Sequence, residues 1–197
     1  MNHADASTNR RVLIIDDNPV IHEDFRKILC PANHSCAAAD RLEAALFEEG
    51  PPAVQTASFE LDSAYQGQEG LEMVQKALAE NRPYAMSFVD VRMPPGWDGV
   101  ETIARIWEVY PHLQVVVCTA YSDYSWEEIL AKVGLPDNMV ILKKPFDNVE
   151  VQQLALTLTK KWSRNARTGL KLTELEAILE LRTAELVEAK KSLAARQ

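Results

Sequence analysis

The sequence has little cysteine and no long apolar run, and each shortage argues against a class of protein. Three cysteines in 197 residues show no metal-ligand spacing, and their odd number does not suggest a disulfide framework. No stretch approaches the roughly 20 apolar residues of a membrane span, and residues 1–11 lack the apolar segment of a signal peptide. A reducing, cytoplasmic setting is therefore expected.

An excess of positive charge is also lacking. The formal net charge is −8 and the sequence pI is about 5.1. Capture of nucleic acid or of an anionic membrane needs a basic face, so neither partner is expected. Hydrophobic residues nonetheless make up 47% of the chain, which is enough to form a core.

Short aliphatic runs alternate with longer amphipathic stretches along the chain. Strands are predicted at residues 12–16, 59–64, 85–91, 114–119 and 139–142. Helices are predicted at residues 18–29, 68–80, 100–110, 126–133 and 148–162. This alternation is typical of an α/β protein with a five-stranded parallel, doubly wound sheet. The expected fold is flavodoxin-like, with strand order 2-1-3-4-5.

Two segments lie outside the alternation. Residues 31–58 form an insertion too long for an ordinary loop, and a helix is predicted in it with Asp40 as N-cap and Gly50 at its end. The insertion either covers one sheet edge or provides a partner or dimer surface. Residues 1–10 are predicted to be a disordered arm.

The tail, residues 163–197, carries a heptad repeat with Arg182 and Ala189 at two of its inner positions. The leucines of this seam are Leu172, Leu175, Leu179, Leu186 and Leu193. The pattern predicts a dimerising coiled-coil helix that leads to an output domain which is missing or separate. The alternative is one amphipathic helix folded back on its own domain.

Polar residues follow the predicted strands. Asp16 and Asp17 come after the first strand, Asp90 after the third, Thr119 ends the fourth and Lys144 follows the fifth. Ligands of an open parallel sheet bind at these carboxyl ends, where the strand order reverses. Three clustered carboxylates suit Mg²⁺, which would let a phosphoryl group approach a carboxylate nucleophile.

The sequence resembles the receiver (CheY-like) domain of bacterial two-component response regulators over residues 11–162. The resemblance rests on the segments VLIIDDNP, AYQGQEGLEMV, FVDVRMPPGWDG, VVVCTAYSD and LKKPF. It implies that Asp90 is phosphorylated by a sensor histidine kinase or phosphotransfer protein. It also implies that Asp16 and Asp17 bind Mg²⁺ together with Asp90 and the backbone carbonyl of Arg92.

The resemblance further assigns Thr119 and Lys144 to phosphate binding and switching, and it implies a cis bond between Lys144 and Pro145. Where the family often has an aromatic switch residue, this chain has Ile141. Tyr121 is a candidate to take over part of that role.

The loop after Asp90 is one residue longer than is usual in the family, and it contains Trp97. Trp97 either shields the phosphate, docks a partner or caps the loop.

The expected function is a phosphorelay receiver whose C-terminal helix controls an output, with a diguanylate cyclase (cyclic-di-GMP) preferred over a phosphodiesterase or a kinase. The chain itself is not expected to be an enzyme. One alternative is an aspartyl-phosphate hydrolase, although such enzymes want an Asp-x-Asp pair. The other is a receiver-like dimerisation module that is not phosphorylated.

Overall fold

The computed structural model describes residues 8–30, 58–120, 132–134 and 137–194, with the backbone alone at residues 173–174, 181 and 184–194. The predicted arm up to residue 7, the predicted helix after Asp40, most of the predicted helix 126–133 and Tyr121 lie outside these ranges. The chain divides into two compact units, Met1–Trp162 and Ser163–Gln197.

Five strands form one parallel sheet with the order β2-β1-β3-β4-β5. The elements of the described ranges are β1 (Arg11–Ile15), α1 (Pro19–Leu29), β2 (Glu60–Ala64), α2 (Gly67–Ala79), β3 (Met86–Asp90), α3 (Gly99–Val109), β4 (Gln114–Thr119), β5 (Met139–Lys143) and α4 (Asn148–Ala194). The predicted fold class and strand order are confirmed.

The sheet is covered on both faces, as the aliphatic runs of its inner strands indicate. Alternate residues of β1 point to opposite faces: Ile14 packs with Phe25 of α1 and Val151 of α4, whereas Ile15 packs with Ile103 of α3 on the other side. Because both faces are buried, the central strands contain few polar residues until they reach their carboxyl ends.

The last helix is longer than the predicted range 148–162, since α4 continues to Ala194. The amphipathic pattern of its first part and the heptad pattern of its tail are both helical. The one glycine inside the tail, Gly169, costs a helix only about 1 kcal/mol, which does not end it. Within the described residues, no helix combines the length and apolar character needed to cross a membrane.

Side-chain caps fix the start of the two helices that follow β1 and β3. The backbone N–H of Val20 donates to Asn18 Oδ1 at 3.0 Å, directly before α1. The backbone N–H of Glu101 donates to Asp98 Oδ1 at 2.7 Å, at the start of α3. Each cap satisfies a backbone donor that the helix itself leaves unpaired, so the loops after both strands end at defined points.

Gly99, the first residue of α3, passes very close to the end of β3. Its backbone N–H donates to the Val91 carbonyl at 2.9 Å. A Cβ added at Gly99 would lie 2.1 Å from the backbone oxygen of Asp90, which is well inside contact distance. Only glycine permits this approach, and the approach holds α3 against the strand end that carries Asp90.

We expect Gly99→Ala to lower the free energy of unfolding by about 1–3 kcal/mol, because the added methyl group meets backbone that cannot rotate away. Gly169→Ala is the matched control, since nothing lies within 4 Å of its added Cβ. It should raise the stability by up to about 1 kcal/mol through helix propensity. Urea unfolding followed by circular dichroism measures both, and a Gly99→Ala protein as stable as the native chain would contradict the close approach.

Candidate functional site

The carboxyl ends of β1, β3 and β5 bring three acids and one lysine together. Lys144 Nζ donates to Asp16 Oδ2 and to Asp90 Oδ1, each at 2.8 Å. Asp16, Asp17 and Asp90 each offer a carboxylate oxygen, and these three oxygens lie within 4.8 Å of one another. The strand order makes β1 and β3 neighbours, which is why acids far apart in sequence share one place.

Asp16 is held at every polar atom that it has. Its backbone N–H donates to the Ala64 carbonyl at 3.2 Å, and its Oδ1 accepts from the Asn18 N–H at 2.9 Å. Its Oδ2 accepts from Lys144, and its carbonyl oxygen lies 2.7 Å from His22 Nε2. A carboxylate that is only 3% exposed needs such partners, because an unpaired buried charge is very costly.

Asp90 ends β3 and is half-buried. Its Oδ2 accepts from the Arg92 N–H at 3.2 Å, while its Oδ1 faces Lys144. Burial raises the pKa of Asp90 above its usual value, and the hydrogen bond and charge of Lys144 offset part of that rise. A positive charge brought near Asp90 therefore stabilises the ionised form of its carboxylate.

Lys144 keeps its proton at neutral pH. Burial alone would lower the pKa of Lys144, but the hydrogen bonds and negative charges of Asp16 and Asp90 outweigh burial and raise that pKa. Its backbone N–H donates to the Thr119 carbonyl at 2.8 Å, which ties the chain after β5 to the end of β4. The cation therefore sits on a fixed stretch of backbone.

The donor set fits a small divalent cation. Mg²⁺ binds oxygen at about 2.0–2.1 Å, so neighbouring and opposite ligand oxygens stand roughly 3–4 Å apart. The three carboxylate oxygens lie within 4.8 Å of one another, which is close to that spacing. Asp17 is exposed and leaves room for the water ligands that Mg²⁺ retains.

Thr119 is buried at the end of β4, and its hydroxyl donates to the Ala120 carbonyl at 3.0 Å. The Lys144–Pro145 bond is cis, as expected, and Pro94–Pro95 is a second cis bond, which was not predicted. The metal-binding role of the Arg92 carbonyl and the phosphate-binding roles of Thr119 and Lys144 stay predictions.

Two other predicted residues lie against neighbouring elements. The guanidinium of Arg105, on α3, stacks 4.4 Å from the ring centroid of Trp97 and also pairs with Glu101 at 2.9 Å. The three interpretations of Trp97, which are phosphate shielding, partner docking and loop capping, stay predictions. Ile141 is partly buried and packs against the core cluster on the α2 and α3 face of the sheet.

His22 was not among the residues predicted for the site. Its ring is fully buried and contacts the backbone of Asp16. A signal was present, because His22, Phe25 and Leu29 follow one another at helical spacing on the buried face of α1. A polar residue on such a face calls for a partner.

Comparison with known proteins bears on the family and the fold. The family model described as "Response regulator receiver domain" matches residues 52–156. The chain belongs to this family. Receiver domains are components of two-component signalling, and they are generally phosphoacceptors rather than enzymes.

Two named regulators are similar in sequence. The photosynthetic apparatus regulatory protein RegA of Cereibacter sphaeroides is 32% identical over 104 residues, which cover 53% of this chain and 52% of RegA. The oxygen regulatory protein NreC of Staphylococcus epidermidis is 26% identical over 163 residues, covering 83% of this chain and 59% of NreC. The chain thus spans little more than half the length of these curated relatives.

One solved structure illustrates the likeness of fold. The adenylate cyclase from Rhodopirellula baltica matches with a TM-score of 0.60 at 18% identity, over 84% of this chain and 98% of that one. At this identity the match bears on the receiver fold alone.

We expect Lys144→Met to destabilise the metal-free chain by about 2 kcal/mol, since two carboxylates lose their counter-ion. The figure is below that of a fully buried pair because the Lys144 side chain is 23% exposed. Lys143→Met, at an exposed position, is the control and should change stability by less than about 0.5 kcal/mol. Urea unfolding in the presence of a chelator gives both values.

A second measurement separates charge from packing. In an Asp90→Asn background, the effect of Lys144→Met should shrink, because one of the two carboxylates is already neutral. An undiminished loss would show that the pairing with Asp90 contributes nothing to stability, which leaves the pairing with Asp16 and the carbon chain of the lysine as its sources.

Proposed function

We propose that this chain accepts a phosphoryl group on Asp90 from the phosphorylated histidine of a sensor histidine kinase or phosphotransfer protein. The observation that carries the proposal is the position of Lys144, whose ammonium group bridges Asp16 and Asp90 at 2.8 Å each. A carboxylate nucleophile and a phosphoryl group repel each other. A fixed cation beside the nucleophile reduces that repulsion.

The transfer forms one bond and breaks one. An oxygen of Asp90 attacks phosphorus, and the P–N bond breaks with its electron pair going to the donor imidazole. Mg²⁺ held by Asp16, Asp17, Asp90 and the Arg92 carbonyl would supply charge neutralisation for the phosphoryl oxygens.

After transfer, the side chains around Asp90 take new partners. Lys144 exchanges its bond to the Asp90 carboxylate for one to a phosphate oxygen. The Thr119 hydroxyl leaves the Ala120 carbonyl and donates to another phosphate oxygen. This movement of Thr119 changes the end of β4 and so carries the signal away from Asp90.

The hydrolase alternative finds less support in the residues around Asp90. Such enzymes want a second acid two residues after the nucleophile, and that position is Arg92. The dimerisation module without phosphorylation is disfavoured because Asp16, Asp17 and Lys144 all face Asp90. A module of that kind has no use for such a cluster.

For the output, we propose a homodimer formed through the tail of α4. The seam residues Leu172, Leu175 and Leu179 are 56%, 56% and 64% exposed in the single chain. Exposed leucines at heptad spacing are typical of a surface that a second helix covers. Leu186 and Leu193 lie outside the described side chains and stay predictions.

We propose a diguanylate cyclase as the domain that this helix would control. A phosphodiesterase and a histidine kinase are the next candidates. The reasoning is by analogy with receivers that precede such domains through a coiled coil. We place the function in the cytoplasm, where ATP-dependent kinases work. The net charge of −8 gives no reason to add nucleic acid or an anionic membrane as partners.

We expect the native chain to gain the mass of one phosphoryl group when it is incubated with acetyl phosphate and Mg²⁺. Asp90→Ala should gain none, because the nucleophile is absent, and a chelator should abolish the gain in the native chain. Asp24→Ala, an acid on α1 that pairs with Lys27, is the control and should be labelled normally. Intact-mass spectrometry measures all four samples.

The same proteins distinguish the alternatives when a phosphomonoester replaces acetyl phosphate as the substrate. Continuous release of phosphate from the phosphomonoester would favour the hydrolase. The absence of labelling in the native chain, with Mg²⁺ present, would favour the module that is not phosphorylated.

We expect Leu172→Glu combined with Leu179→Glu to yield a monomer where the native chain is a dimer, because charges would face each other across the seam. Leu170→Glu combined with Ala177→Glu adds the same charges outside the seam and should leave the dimer intact. Sedimentation equilibrium of the full chain compares the three proteins. A seam variant that remains dimeric would rule out this interface.

A further inference from the structure

His22 is a buried polar residue that the proposed transfer does not use. Its ring is fully buried, and within the described residues its Nδ1 has no hydrogen-bond partner. Leaving a buried nitrogen unpaired costs about 1–3 kcal/mol. A hydrophobic residue at this position, on the same face as Phe25 and Leu29, would avoid that cost. A histidine at this position is therefore explained only by an interaction of its other ring nitrogen, Nε2.

That other nitrogen binds the end of β1. His22 Nε2 lies 2.7 Å from the carbonyl oxygen of Asp16. Because a carbonyl oxygen can only accept, Nε2 carries the hydrogen. His22 is in the first turn and a half of α1, and helical side chains lean towards the N-terminus of their helix. This lean brings the ring back to a residue six positions earlier in the chain.

A second element fixes the ring in this position. Tyr65, which directly follows β2, lies with its ring centroid 4.6 Å from that of His22, at an interplanar angle of 48°. The Tyr65 backbone N–H donates to Glu69 Oε2 at 2.6 Å, which ties it to α2. The contact with Tyr65 thus helps to fix the orientation in which the imidazole binds the Asp16 carbonyl.

The hydrogen bond from His22 to the Asp16 carbonyl also affects Asp17. The Asp16 carbonyl belongs to the same planar peptide group as the N–H of Asp17. Holding its oxygen fixes the orientation of that plane, and with it the point from which the Asp17 side chain starts. Asp17 itself is exposed, so little else restrains it.

We propose that His22 is a positioning residue, which holds the peptide between Asp16 and Asp17 so that both carboxylates face Asp90. The inference rests on the proposed function, because the alignment matters there for binding Mg²⁺. Residues that orient metal ligands typically affect metal affinity by about 10–100-fold when they are replaced. His22 acts through Asp16 and touches neither the metal nor the phosphoryl group.

Two substitutions of similar length test the proposal in the full chain. His22→Met removes the N–H donor, and His22→Gln keeps one that can reach a carbonyl. Both residues are good helix formers. We expect His22→Met to weaken Mg²⁺ binding about tenfold, measured by isothermal titration calorimetry, and His22→Gln to restore most of the native affinity.

Ile28→Val is the control for a purely structural effect. It trims a buried side chain of α1 and should cost about 1 kcal/mol of stability without changing Mg²⁺ affinity. Native affinity in His22→Met would overturn the positioning role and leave the proposed function intact. A native chain that binds no Mg²⁺ would overturn the proposed function, and the positioning role with it.

A spectroscopic measurement on the native protein requires no variant. Long-range ¹H–¹⁵N correlation spectra distinguish the two imidazole tautomers of a histidine. We expect the Nε2–H tautomer for His22 in metal-free buffer. The Nδ1–H tautomer would overturn the proposal, because Nε2 would then have no hydrogen to donate to the Asp16 carbonyl.

Discussion

The bridge from Lys144 to Asp16 and Asp90 is the interaction on which the rest of this site depends. The chain brings oxygens of three carboxylates within 4.8 Å of one another, and of these acids Asp16 is buried and Asp90 is half-buried. Without a cation, the three carboxylates would either move apart through mutual repulsion or take up a proton. The ammonium group makes the cluster compatible with the fold, and it does so from the end of a third strand, β5.

Several local features keep the strand ends in the positions that this bridge requires. Gly99 lets α3 approach the backbone of Asp90, and Asn18 begins α1 directly after the acid pair. The Lys144 backbone is hydrogen-bonded to the end of β4. Each feature lies at or next to the end of a strand or helix rather than in the middle of one. The core supplies a rigid sheet, and the loops convert it into a site.

Sequence patterns predicted the sheet well because its inner strands are buried on both faces and read as unbroken aliphatic runs, as in QVVVCT. The acids and the lysine were predictable because polar residues are rare until those runs end. Contacts made through loop geometry were not predictable. The bond from His22 to Asp16 depends on how α1 turns after its cap, and the stacking of Arg105 on Trp97 depends on the path of the β3–α3 loop. The length of α4 was missed because the two helical patterns join without a break.

The three acids differ in their exposure to solvent, from buried Asp16 through half-buried Asp90 to exposed Asp17. If the proposed metal site is used, an ion arriving from bulk water would meet Asp17 before the two acids that lie deeper. Asp16, whose two carboxylate oxygens both accept hydrogen bonds, would constrain the coordination geometry, whereas exposed Asp17 would have room to adjust to an ion of larger radius. A site of this kind would select ions by preferred geometry more than by size, so that Mn²⁺, which shares the octahedral preference of Mg²⁺, would compete with Mg²⁺ for it.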